Sequence, residues 1–154
     1  FTDKELIEIG NGIVSKCVGD CDAIIAEVQA NINNLTNDAI RDYMLRLALS
    51  SYSFSEIKEK SAFKAQCAEA LRKEAYAREF STQSGPVAQK ETQATINISD
   101  ETVVEYLYEY IASIMKTKQD EMHRVVDVLK TLIMSRLSEA KITTTVDTTS
   151  AREE

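Results

Sequence analysis

From Asp100 to Lys141 the chain runs about forty residues without a Gly or a Pro, and its apolar side chains recur at steps of three and four. That spacing defines a helical seam of Val104, Leu107, Ile111, Ile114, Val125, Val128 and Leu132, with Met122, Leu129 and Ile133 on its flank. A stripe of this length must be covered by something. Lys116 to Glu121 (KTKQDE) interrupts it with six polar residues. The segment is therefore either one long helix with a solvated middle turn or two helices packed as a hairpin. Thr102 to Ile111 (TVVEYLYEYI) also fits a strand of period two. Helix is the better reading, because Tyr106 and Tyr110 fall four apart and no turn residues bound the segment.

The rest of the chain is read from its punctuation. Thr2 with Glu5 and Ser53 with Glu56 have the spacing in which a hydroxyl and a carboxylate satisfy the first N–H groups of a helix. The first helix is expected over Asp3 to Val18, with Leu6, Ile9, Ile13, Val14 and Cys17 inward and Gly19 ending it. A second covers Cys21 to Leu35 and buries Ile24, Ile25, Val28 and Ile32. Thr36, Asn37 and Asp38 provide a turn and a cap before a third, Ala39 to Ser50, whose inward candidates are Ile40, Met44, Leu45, Leu47 and Leu49. Phe54 to Phe80 is unbroken and Ala-rich, a strong helix signal. Ile57, Ser61, Ala65, Ala68, Leu71 and Ala75 share a face there, with Phe63, Tyr76 and Phe80 adding bulk.

Ser81 to Ser99 holds the only Pro and many Ser, Thr and Gln, which predicts a linker whose end, Ala94 to Ser99, is a short strand or extended segment before a cap at Ser99 or Asp100. Thr143 to Glu154 is polar and expected to be a mobile tail. The organisation is one domain: residues 1–80, a linker at 81–99, a helix or hairpin over 100–141, and a tail over 142–154. At 154 residues the chain is long enough to bury a core unaided.

A formal charge of -7 disfavours a broad grip on nucleic acid, which draws its free energy from clustered Lys and Arg. Only residues 56–80 lean positive, with six basic and five acidic side chains. Lys58, Lys64, Arg72, Lys73 and Arg78, interleaved with aromatic rings, are the candidate single-strand contacts. A solvated helix face laced by pairs such as Glu56 with Lys60 and Glu69 with Lys73 is the competing reading. Three cysteines, an odd count with no dense framework, favour a reducing, cytosolic setting. No apolar run reaches the roughly 18 residues of a membrane span, and no signal peptide is visible. The first residue is Phe1 rather than Met, so trimming of the natural start is expected.

The reactive residue types do not assemble into a motif. Cys17 and Cys21 are four apart, yet structural zinc needs four Cys or His ligands and only Cys67 and His123 remain. Buried apolar thiols are expected instead. His123, the single histidine, is expected at the surface, and its Asp120 partner has the wrong acid and no second copy for a di-iron bundle. Glu105 and Glu109 are likewise four apart without a histidine. Glycine-rich phosphate loops, Gly-x-Ser-x-Gly elbows and His-Glu-x-x-His sequences are absent. No catalytic residue, metal or cofactor is assigned. Tyr106, Tyr108 and Tyr110 cannot all point inward on one helix, so at least one should be exposed.

The order of parts, an Ala/Lys/Glu-rich helix ending in AYAREF, a polar stretch, then LYEYIASIMKTKQDEMHRVVDVLKTLIMSRLSEAK, resembles small helical proteins encoded in early or recombination gene modules of tailed bacteriophages. The resemblance covers roughly residues 53–141 and carries no functional residue with it. It implies a host-cytoplasmic accessory role.

These readings converge on an all-α helical bundle with two long helical regions, completed by coiled-coil-like self-association. The expected activity is non-enzymatic: an oligomeric adaptor acting by protein contact, with nucleic-acid binding as the alternative. Val104, Leu107, Tyr108, Ile111, Met115, Met122, Leu129 and Ile133 are the candidate interface.

Overall fold

Thr2 and Glu5 open the first helix as their spacing implies. The Thr2 amide donates to Glu5 Oε2 at 2.7 Å, and the Glu5 amide donates to Thr2 Oγ1 at 3.3 Å. The computed structural model describes residues 2–153, with side chains continuously through Val146 and again at Thr149. Helix α1 spans Asp3–Asn31, a 3-10 turn follows at Ile32–Asn34, and α2 spans Asn37–Thr82, α3 Val87–Asn97 and α4 Ser99–Glu153. Among the described residues there is no strand, and the protein is an all-α helical bundle. No helix is long and apolar enough to cross a membrane among these residues.

Helix continuity differs from the expected punctuation at Gly19 and Ser53, and at Lys116 to Glu121 it takes one of the two forms left open by the sequence. Gly19 does not end α1, because Val18 and Cys21 on either side of it are buried and their packing outweighs the roughly 1 kcal/mol that an interior glycine costs. Ser53 does not start a helix, since α2 passes through it with Phe54 2 % exposed. The expected three short helices and the Ala-rich helix are thus two long ones. Lys116 to Glu121 is continuous helix, bracketed by Met115 and Met122, each 1 % exposed and seven residues apart. Of the polar residues between them, Lys116, Thr117 and Asp120 are exposed and Lys118, Gln119 and Glu121 are half-buried.

The expected linker is largely helical. Gly85, at φ 105°, makes the one left-handed turn among the described residues, a conformation that favours glycine, and Pro86 then caps α3. Ala94 and Ile98 are buried while Ile96 is exposed, so the buried pair is four apart and the helical period wins over the strand reading. Ile98 alone separates α3 from α4, and the Thr102 amide donates to its carbonyl at 3.0 Å. Helix α4 continues beyond Lys141, and the hydroxyls of Thr143, Thr144, Thr145 and Thr149 each donate to the carbonyl four residues back. Glu154 lies outside the described residues.

Buried positions recur every seventh residue along each long helix. On α2 they are Ile40, Leu47, Phe54, Ala68 and Ala75, with half-buried Ser61 in the one remaining place. On α1 they are Val14, Cys21 and Val28, continued by Leu35 after the 3-10 turn; on α4 they are Met115, Met122 and Leu129. Each Leu-, Met- or Phe-sized side chain so placed contributes about 1.5–3 kcal/mol.

The chain divides into two compact units. The first joins the N-terminal residues up to Gly19 with Ser53–Gln119 and includes α3. Within it Gly10 lets Tyr110 approach closely, Tyr110 donates to Asn11 Oδ1 at 2.7 Å, and Asn97 donates to Glu79 at 3.0 Å to hold α3 on α2. The second joins Asp20–Tyr52 with the residues from Asp120 on. Its turn is pinned by the Ala39 amide donating to Thr36 Oγ1 at 3.1 Å and by Arg136, which donates to the Leu35 carbonyl at 2.5 Å and to Asn37 Oδ1 at 3.2 Å.

Candidate interaction surfaces

The seam expected to seek a second molecule is largely covered by the chain itself. Ile111, Met115, Met122, Leu129 and Ile133 are at most 9 % exposed, so these five cannot present an interface in the folded chain. Leu107 and Tyr108 are half-buried, and of the eight only Val104 is exposed. The rotation of the stripe also differs: Met122, Leu129 and Ile133, read as its flank, are its centre, while Val128 is 55 % exposed. Periodicity gave the wavelength of the pattern, and the neighbouring helices decided its phase.

Large apolar side chains do reach solvent elsewhere. Leu45, Leu49 and Tyr52 on α2 are 59 %, 62 % and 86 % exposed, at helical spacing that sets them in one stripe. Two of these, Leu45 and Leu49, were expected inward; Ile40 and Leu47, both fully buried, occupy that face instead. Ile9, Ile13 and Leu71 also reach solvent against expectation, and Phe63 is exposed as well. Tyr106 is exposed, which satisfies the packing argument made for the three tyrosines.

The basic face of α2 is mostly engaged. Lys58 donates to Gln119 Oε1 at 2.6 Å, Lys73 pairs with Glu69 at 2.5 Å, and Arg78 lies 4.0 Å from Glu74. Arg72 turns inward, and its Nε donates to Glu105 Oε2. Glu105 is 5 % exposed, the one buried charged residue among those described. This pair escaped sequence reasoning. The signal was available, since Glu105 lies seven residues after buried Ile98 and so continues the buried face.

Glu109 stands one turn beyond. Burial, and then the neighbouring Glu105 charge, pushes its carboxyl above the usual range, with Glu69 adding in the same direction and Arg72 opposing. The hydrogen bond and charge of Lys73 pull Glu69 the other way. The arrangement is a partly buried arginine–carboxylate pair with a second, exposed acid beside it.

The cysteines divide. Cys17 and Cys67 are exposed, against expectation, and Cys21 is buried. Burial raises the Cys21 thiol, opposed by a hydrogen bond with Ser50 and assisted by the charges of Asp22 and Asp20. With α1 unbroken at Gly19, Cys17 and Cys21 do lie one turn apart on a single helix, but no group of three or more His, Cys, Asp or Glu is placed to hold a metal ion among the described residues. His123 and Asp120 both face solvent.

Apolar depressions occur within the single units among the described residues. One, of about 270 Å³, lies between Leu71 and Val104 with Asp100 and Glu101 at its edge. Another, of about 310 Å³, lies between Val28 and Val128 with Arg124 beside it. A third, of about 250 Å³, is floored by Val14, Ile111 and Met115 and edged by Lys60 and Lys64.

These features define an all-α bundle with exposed apolar and charged patches. Scans against family models, curated proteins and solved structures each find no match to this chain.

Proposed function

We propose that the chain is a non-enzymatic helical adaptor that acts by protein contact and associates with copies of itself. The observation that carries this reading is the Leu45, Leu49, Tyr52 stripe, three large side chains on one helix face at 59 %, 62 % and 86 % exposure. Apolar surface gathered in one place on a soluble domain is a mark of contact sites. Such a stripe is self-complementary across a two-fold axis, and both charge signs flank it, with Asp42 close to Arg46 at 4.0 Å. Three side chains fall short of the roughly 1,200 Å² buried in a stable dimer, so the association is weak and dependent on concentration.

The alternative of single-strand binding draws less support from the geometry, because Lys58, Arg72, Lys73 and Arg78 already hold partners within the chain. An accessory role of the kind implied by the resemblance over residues 53–141 is compatible with a contact protein.

Light scattering across a hundredfold concentration range tests the proposal. The apparent mass should rise above 17.2 kDa with concentration. The double substitution Leu45→Asp, Leu49→Asp should return it to the monomer value while circular dichroism stays unchanged. A wild-type mass that stays monomeric at the highest concentration overturns self-association.

A further inference from the structure

We propose that the cleft edged by Lys60 and Lys64 is a binding site for a small amphiphilic carboxylate, a straight-chain fatty acid of medium length. Three helices build it within the first unit. Val14 of α1 and Ile111 and Met115 of α4, all at most 5 % exposed, make an apolar floor, and α2 supplies the mouth.

Ser61 is the α2 residue that leaves room in the cleft. Along α2 every other place in the seven-residue series of buried positions holds an apolar side chain, but the place between Phe54 and Ala68 holds Ser61. Its hydroxyl donates to the Ile57 carbonyl at 2.9 Å, so it is satisfied along its own helix and adds no bulk to the space in front of it. About 250 Å³ is left open over the floor. A hydrocarbon seated there would remove the aliphatic lining from water.

The charges at the mouth specify the other end of the ligand. Lys60 and Lys64 are the charged residues lining the cleft, and no acidic side chain does. Lys60 shares its charge with Glu56 at 2.9 Å, whereas Lys64 makes no ion pair among the described residues. Two cations thus edge the recess in a chain of net charge -7. An aliphatic tail on Ile111 and Met115 with a carboxylate near Lys64 satisfies both parts. Largely apolar with a few polar groups that fix orientation, the recess has the makeup of a small-ligand site. The site is separate from the Leu45, Leu49, Tyr52 stripe and does not depend on the adaptor reading.

Calorimetric titration of the full chain with octanoate, octanol and octylammonium tests the assignment. Octanoate should bind at one site and octylammonium about tenfold more weakly or not at all, the discrimination expected of one charge-assisted contact. Lys64→Glu should reverse that preference. Ser61→Leu should fill the recess and abolish octanoate binding, with helicity and melting temperature maintained or raised to show that the fold persists. Cys17, which lines the cleft, gives a positional readout. Octanoate should slow its alkylation while leaving that of Cys67, which is exposed and outside the cleft, unchanged. Equal binding of octanoate and octylammonium, unimpaired binding in Ser61→Leu, or no saturable heat at millimolar octanoate overturns the proposal.

Discussion

The Tyr110 ring lies directly against Gly10: a Cβ built on that glycine would come within 2.5 Å of Tyr110 Cδ1 and 2.8 Å of Cε1. Gly12 and Gly19, on the same helix, have nothing within 4 Å of such an atom. One residue type therefore serves opposite ends. At position 10 it admits a ring from α4, and at 12 and 19 it only loosens α1.

Gly19→Ala and Gly12→Ala should each stabilise the protein by about 0.5–1 kcal/mol, because alanine is the better helix former and restricts the unfolded chain. Gly10→Ala should destabilise it by about 1–3 kcal/mol through overpacking. Urea denaturation monitored by circular dichroism measures all three. If Gly10→Ala also stabilises, the ring is not held against that helix.

Arg72→Met leaves Glu105 buried without its partner and should cost about 2–4 kcal/mol, less than for a fully enclosed pair because the Arg72 side chain is 28 % exposed. Adding Glu105→Leu should recover most of the loss, since two apolar groups need no mutual compensation. A double variant as unstable as the sum of its singles would show that the two residues do not act as a pair.

Glu109→Gln should raise the melting temperature at neutral pH and lose its advantage in acid. The folded-state carboxyl of Glu109 titrates above 4.5, the ordinary value of a glutamate, so the folded chain takes up the proton more readily than the unfolded one. Wild-type stability is therefore penalised above the folded-state titration, and the penalty vanishes as pH falls below 4.5. Thermal melts of both proteins between neutral and acid pH should converge at the acid end. Parallel curves across the whole range would remove the repulsion from the account.

Met122→Ala and Leu129→Ala should each cost about 2–5 kcal/mol, as large-to-small changes at core positions do. Val128→Ala, on an exposed side chain adjacent in sequence, should cost less than about 0.5 kcal/mol. Chemical denaturation of the three variants separates the observed phase of the α4 stripe from the one drawn by periodicity alone, which ranked Val128 above Met122 and Leu129.

Sequence reasoning reached the all-helical class, the Thr2 and Thr36 caps and the continuous pattern over Tyr106 to Lys118, because each is encoded locally in side-chain spacing and capping chemistry. It misplaced the helix ends at Gly19 and Ser53. Both residues carry a genuine local signal that packing of Val18, Cys21 and Phe54 overrides. It buried Leu45 and Leu49, since a helix rich in leucine offers several apolar faces and only neighbours choose among them. The Ser61 recess could not be read at all, because a gap is a property of what three helices fail to fill.

The seven-residue series on α2 has a consequence for how this chain can change in length. Deleting one residue near Glu59 would rotate Ala68 and Ala75 by about 100° away from their partners, whereas removing a full set of seven would restore them. Viable insertions and deletions within α2 are thus confined to a reading frame of their own, counted in helical turns rather than in codons.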